Sequence, residues 1–206
     1  APSCQVLSLQ NGVSNAETLA DILGRPVEPV VVYVASRVPS PGIVRHEGRG
    51  DLEVSAQCAS DVADLLNGAG IETRVSDDVI GSLWTKLIVN CAMNPISAIT
   101  GLTYGEMVSK DGMLELIDDI VREALSVAHA EGIFIPDTIF EVIRQIPVSM
   151  PGQYSSTAQD LMQGKPTEID FLNGEIVRRA DKLGLAVPVN RTLTLLVKST
   201  ERNQPA

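Results

Sequence analysis

A lysine and two asparagines stand four residues apart in an otherwise apolar stretch: Lys86, Asn90 and Asn94 in T-K-L-I-V-N-C-A-M-N-P. On a helix each four-residue step drifts by about 40°, so the three share a stripe about 80° wide and about 12 Å long. Leu87, Ile88, Val89, Cys91, Ala92 and Met93 surround them. A helix that is apolar nearly all round is buried, and polar groups on it need partners. One ammonium and two carboxamides in a row can hold a carboxylate and pass a proton to a nascent alkoxide. The same spacing also serves a plainer end, with the lysine head reaching solvent and the amides bonding nearby backbone. Pro95 lacks an amide and disfavours helical geometry in the residue before it, which predicts a kink at Asn94.

Two further groups carry polar chemistry. Ser155-Ser156 precedes Thr167-Glu168-Ile169-Asp170. Thr167 is placed to cap a helix over 168–183, with Asp170 near its third position. Glu168 then falls in the first turn, where the helix dipole favours negative charge. Acidic residues gather at helix starts for that reason alone, and either serine serves equally as a cap. Asn11 belongs to an Asn-Gly pair, a common tight turn. A loop between a strand end and a helix start is also where α/β sheets place ligands.

Other chemistries find little support. There is no G-x-S-x-G elbow and no H-E-x-x-H helix. His46 and His129 lie far apart, and Cys4, Cys58 and Cys91 show no C-x-x-C spacing. Neither a disulfide framework nor a metal site is expected, and reduced thiols fit a cytoplasmic protein. A net charge of −10 repels phosphate backbones and anionic membrane surfaces, so neither is an expected partner. No run reaches the roughly 18 apolar residues needed to span a bilayer. The N-terminus lacks an initiator Met and a signal-peptide pattern, and reads as cut.

The elements that must position these residues fall into two regimes, changing near residues 76–81. The first reads as a strand over 5–9, a tight turn, and a helix to about Leu23. Ser14 and Glu17 have capping-box spacing at that helix start. Short β-branched runs at 30–36, 43–47 and 52–55, punctuated by Pro and Gly, predict an antiparallel meander. A helix over 57–67 and a strand over 71–75 follow. The second regime is almost wholly helical, with helices at 83–99, 113–130, 138–145, 155–163, 169–183 and 190–202. The fold class is therefore a partial Rossmann-like α/β segment followed by an all-helical C-terminal domain. So few strands cannot bury both faces of a sheet, so the first regime reads as the tail of a larger one.

In these residues the chain resembles the ketopantoate reductase (2-dehydropantoate 2-reductase) family. The shared features are Gln10-Asn11-Gly12 after a strand, the Lys86/Asn90/Asn94 ladder ending in Asn94-Pro95, and Ser155-Ser156 with Gln159-Asp160. Pro166-Thr167-Glu168-Ile169-Asp170 and Asn173-Gly174 complete the set. They occur in family order over nearly the whole chain. The resemblance implies that 1–80 is the C-terminal part of a Rossmann-like NADP-binding domain and 81–206 a helical substrate and dimerisation domain, with the active site in the cleft between. It implies NADPH as cofactor, ketopantoate as the small 2-oxo-acid substrate, pantoate for pantothenate synthesis as product, and a homodimer. By the same resemblance Lys86 looks like the general acid, and Asn90, Asn94 and Ser156 like substrate-positioning residues. Glu168 is similar to the family acid at the lysine and cofactor-ribose end, and Asn11 to the asparagine beside the nicotinamide. A related reductase with another 2-oxo acid, and a non-catalytic helical dimerisation or binding module, remain as alternatives.

One departure from the family is large. Such enzymes begin with a strand and a G-x-G-x-x-G turn whose amides cradle the pyrophosphate. Here about 100 residues, the length of the first βαβ units, are expected before Ala1. This 206-residue chain alone is therefore expected to bind NADPH weakly or not at all. A fluorescence titration of the isolated chain checks this, and saturable tight binding would contradict it.

Overall fold

The structure, a computed structural model, describes residues 4–56 and 59–201. It divides into two compact units, Ala1–Leu83 and Trp84–Ala206. The fold class is the expected one, a small sheet of few strands followed by an all-helical region.

In the first unit β1 (Leu7–Ser8), β2 (Glu28–Ser40), β3 (Ile43–Ser55) and β4 (Thr73–Ser76) lie in that order across one sheet. β1 pairs with β2 in parallel, β2 with β3 antiparallel, and β3 with β4 in parallel. One sheet face buries Val30, Leu52 and Val54 against Ala63 of α2 (Ala59–Gly68). The other buries Val31 against Val79 and Leu83. Gln57 and Cys58 of the expected helix lie outside the described residues.

Several local expectations are corrected. The meander is a single hairpin, because the runs at 43–47 and 52–55 belong to one strand. Gly48-Arg49-Gly50 does not turn the chain. It is absorbed as an irregularity in which Val34 faces Arg49 and Tyr33 faces Asp51, so Gly50 is an extra residue. Arg49 takes a left-handed φ of 50° there, and its guanidinium stacks 4.1 Å from the Tyr33 ring while pairing with Asp51. β1 is shorter than expected, with only Leu7 and Ser8 paired, to Glu28 and Pro29 of β2.

The capping box at Ser14 does not form. Ser14 has helical backbone angles (φ −99°, ψ −10°) and makes no side-chain cap bond before α1 (Asn15–Leu23). The extended conformation that aims a cap oxygen at the free amides is absent. Instead Asn15 Nδ2 donates to the Asn11 carbonyl at 2.6 Å.

α3 (Val79–Thr100) starts four residues earlier than expected, where the Asp78 carboxylate accepts from the Gly81 amide at 2.8 Å. A Cβ on Gly81 would meet that carboxylate at 2.2 Å, so a larger residue there would displace the Asp78 side chain from this position. The helix does not end at Asn94 but runs on through Pro95 to Thr100.

The helical unit continues through α4 (Tyr104–Val108), α5 (Met113–Ala130), α6 (Ile139–Ser149), α7 (Ser156–Met162), α8 (Asn173–Leu183) and α9 (Pro188–Thr200). α5 has the bounds its periodicity predicts, with Ile117, Ile120, Val121, Ala124 and Ala128 buried. It packs on α8 and α9. Glu123 of α5 caps α9 from outside, accepting from the Val189 and Asn190 amides at 2.9 Å each. The expected single helix from Thr167 onward is broken. Thr167 accepts from Ile169 N at 3.3 Å and starts only a 3-10 turn, Ile169–Phe171. Leu172, buried at φ −108° and ψ −106°, then redirects the chain before α8. Among the described residues no helix is long and apolar enough to cross a membrane.

In the first unit Glu53 on β3 is 2% exposed and binds Arg74 at 2.7 Å and Ser82 at 2.5 Å. Burial alone would raise its pKa, but the Ser82 and Arg74 hydrogen bonds outweigh it and hold the carboxyl below its ordinary value of 4.5. A depressed carboxylate contributes stability above the unfolded-state pKa and loses it as pH falls through the folded one. Glu53→Gln should cost on the order of 1–3 kcal/mol at neutral pH. It should also flatten the loss of stability on acidification below 4.5. Urea unfolding at neutral and acid pH measures both effects. Parallel pH curves for variant and wild type would contradict the assignment.

Candidate active site

α3 presents Lys86, Asn90 and Asn94 at successive four-residue steps, in a helix whose Leu87, Ile88, Cys91, Ala92, Met93 and Ile96 are all at most 2% exposed. Lys86 and Asn90 are half-buried and Asn94 is buried. Their apolar neighbours hold the helix in place on its other sides, which leaves the polar groups a narrow common strip. The strip extends one turn back to Ser82, whose hydroxyl donates to Glu53. Carrying the four-residue spacing backwards would have found Ser82 in the sequence.

Asn94 and Ser156, 62 positions apart, meet directly. Asn94 Nδ2 donates to Ser156 Oγ at 3.3 Å. Ser155, wholly buried, makes that meeting reproducible. Its backbone is extended (φ −64°, ψ 159°), and its hydroxyl accepts from Ala158 N at 3.1 Å as the cap of α7. The same hydroxyl donates to the Asn94 carbonyl at 3.1 Å, and the Ser155 amide donates to Ser97 Oγ at 3.2 Å. Ser155 thus pins the start of α7 to α3, while the neighbouring Ser156 is exposed. Sequence alone leaves the two serines equivalent, because the extended backbone that separates a cap from a first helical residue is not written in the residue types.

Glu168 is exposed and opens the 3-10 turn, its carbonyl accepting from Phe171 N at 2.8 Å. Asp160 is near it. Burial first, and then the Glu168 charge, push the Asp160 carboxyl up, while Lys165 opposes them. Asp170 is engaged elsewhere, with Lys198 at 2.9 Å. Asn11 lies in the first unit, half-buried in the turn after β1, where Gly12 takes a left-handed φ of 94°. A strand, a tight turn and a helix in that order suit the near edge of a dinucleotide cofactor. The glycine-rich turn that would hold a pyrophosphate is not part of this sequence. Neither Lys86, Glu168 nor Asn11 stands without an interaction partner.

A crevice of about 390 Å³ in the first unit, by contrast, is lined by Glu28, Asp77 and Asp78 with Ser55 and Ser76. Its carboxylates repel an anionic substrate. Among the described residues no group of three or more His, Cys, Asp or Glu is arranged to hold a metal ion. Cys4 and Cys91 are free thiols, and burial pushes the Cys91 thiol up, far from a reactive thiolate.

The geometry can be set beside known proteins. Residues 78–201 match the family described as ketopantoate reductase PanE/ApbA C terminal, and residues 1–59 match ketopantoate reductase PanE/ApbA. The chain is 36% identical over 202 residues to 2-dehydropantoate 2-reductase of Pyrococcus horikoshii, covering 95% of this chain and 67% of the relative. The solved PanE/ApbA family ketopantoate reductase from Ralstonia eutropha JMP134 is 50% identical with a TM-score of 0.93, covering 98% of this chain and 68% of that one. D-mandelate dehydrogenase, solved with NADH and anilino(oxo)acetate, is 26% identical with a TM-score of 0.91, covering 98% and 69%. Agreement in sequence over both matched segments, and in fold over almost the full length, leads to one conclusion: the chain belongs to the ketopantoate reductase PanE/ApbA family.

Proposed function

We propose that this chain carries the substrate-handling part of a cytoplasmic, NADPH-dependent 2-dehydropantoate 2-reductase that makes pantoate for pantothenate synthesis. The observation that carries the reading is the Asn94–Ser156 hydrogen bond, which joins the end of the α3 strip to the first turn of α7. A 2-oxo acid offers only acceptors along its oxo-carboxylate edge, and Lys86, Asn90, Asn94 and Ser156 offer donors. Asn90, Asn94 and Ser156 hold the carboxylate and oxo group in this reading, and Lys86 faces the oxo oxygen. A nicotinamide cofactor would supply a hydride to the oxo carbon, and Asn11 is a residue that would hold it. Negative charge grows on the oxo oxygen in that step, and the Lys86 ammonium stabilises it more than it stabilises the neutral carbonyl. Lys86 then delivers its proton to the alkoxide, leaving the alcohol and a neutral amine. Glu168 supplies the negative charge at the lysine and ribose end. The homodimer implied by the family resemblance belongs to the same proposal, and sedimentation reads it.

The likeness to D-mandelate dehydrogenase, solved with NADH, favours a second reading, in which the same donors serve another 2-oxo acid and NADH replaces NADPH. Initial rates with ketopantoate and aryl 2-oxo acids, each with NADPH and NADH, separate the two.

Lys86→Ala in the complete reductase should lower kcat by about 10²–10⁴-fold with folding intact. Turnover near that of the wild type would remove Lys86 from the mechanism. The paired serines provide a second check by thermal unfolding and KM. Ser155→Ala should cost about 1–3 kcal/mol of stability. Ser156→Ala should cost less than about 0.5 kcal/mol while raising KM for the 2-oxo acid. The reverse pattern would contradict the division of roles.

A further inference from the structure

Pro95 leaves an unmet acceptor in the middle of α3. In a regular helix the amide of residue 95 would donate to the carbonyl of residue 91, four positions back, and proline has no amide to give. Cys91 is wholly buried, so water cannot take over, and an unsatisfied carbonyl there would be costly. Asn173, also wholly buried, supplies the donor instead: its Nδ2 donates to the Cys91 carbonyl at 3.1 Å.

Asn173 is itself held. Its second Nδ2 hydrogen goes to Asn190 Oδ1 at 2.9 Å. Asn190 Nδ2 in turn donates to the Ile120 carbonyl at 3.2 Å and to Glu123 at 2.8 Å. Both Asn190 donors meet acceptors, so its Oδ1 is turned toward Asn173, and the Asn173 amide is fixed in turn. The break at Leu172 places Asn173 at the first position of α8, where its side chain reaches inward.

Cys91 sits between Asn90 and Asn94 in sequence, and its carbonyl belongs to the helical turn that carries both. We propose that Asn173 is a positioning residue for the 2-oxo-acid site. It replaces the missing Pro95 amide and so fixes the turn of α3 on which Asn90 and Asn94 stand. This rests on the reading above that those asparagines receive the substrate. The acceptor that the proline beside Asn94 leaves open is then satisfied from α8, and the side chains on that turn keep one orientation.

A double-mutant cycle tests this, using Asn173→Ala, Pro95→Ala and the double variant in the complete reductase. Pro95→Ala restores an amide aimed at the Cys91 carbonyl, so the two changes should compensate. Loss of the Asn190 contact is common to both backgrounds and cancels. With Pro95 in place, Asn173→Ala should raise KM for ketopantoate by about tenfold or more with a smaller change in kcat. In the Pro95→Ala background the same change should raise KM less than about threefold. An equal KM effect in both backgrounds, or none in either, overturns the proposal. A change in unfolding midpoint with KM untouched also overturns it, since Asn173 would then be a packing residue only. If Asn173→Ala alone does not fold, a folded double variant supports the compensation and an unfolded one contradicts it. Should the wild-type reductase leave every 2-oxo acid unreduced, the functional reading fails. The compensation between residues 95 and 173 is then read from urea unfolding, where additive effects overturn it.

Discussion

A helix packed on almost every side can carry polar groups only if each has somewhere to go, and α3 is built around that constraint. Leu83, Trp84, Leu87, Ile88, Cys91, Ala92, Met93 and Ile96 are buried to within a few percent, yet the same helix holds Ser82, Lys86, Asn90 and Asn94 in one strip and has a proline in its last third. The sheet meets the strip at its start, where Glu53 accepts from Ser82. Near its end α7 and α8 meet it: Ser155 takes the Asn94 carbonyl, Ser156 takes the Asn94 amide, and Asn173 takes the carbonyl that Pro95 cannot serve. Ser82, Asn94 and the Cys91 carbonyl, costly to bury alone, are each met by a side chain from a neighbouring segment.

Burial sorts these attachments into two kinds. Ser155, Asn173 and Asn190 are wholly buried and bond mostly to backbone or to one another, so they fix geometry. Ser156 and Glu168 are exposed, and Asn90 and Lys86 half-buried, so they remain accessible to a small molecule. A binding site needs side chains held from behind in this way, because a donor free to rotate gives up part of its interaction energy on being ordered. A buried support and a proposed substrate group therefore stand side by side at Ser155 and Ser156.

Legibility in the sequence follows the same physical division. α5 can be read to the residue because it is amphipathic, and a 3.6-residue period survives without knowledge of its partners. The α3 strip is legible for the opposite reason, as polar exceptions in an apolar run. The hairpin is easily misread because Gly48-Arg49-Gly50 has the composition of a turn, and only pairing with β2 shows it to be a bulge. Ser14 and Glu17 have capping-box spacing without the backbone angles. Thr103 and Glu106 share the spacing, and there the Glu106 carboxylate accepts from the Thr103 amide at 2.9 Å. The supports of the site are least visible. Asn173 matters through a carbonyl 82 positions away, and no local pattern records that a proline elsewhere has left an acceptor open.

The central claim is that Asn94, held between Ser155 and Ser156, presents its amide to the substrate rather than serving the fold alone. Its most direct measurement is the equilibrium dissociation constant of the 2-oxo acid for the cofactor-loaded reductase, in the wild type and in Asn94→Ala, with circular dichroism to verify the fold. A loss of affinity of about tenfold or more with the fold unchanged is the predicted result. Unchanged affinity in a folded variant would contradict the account.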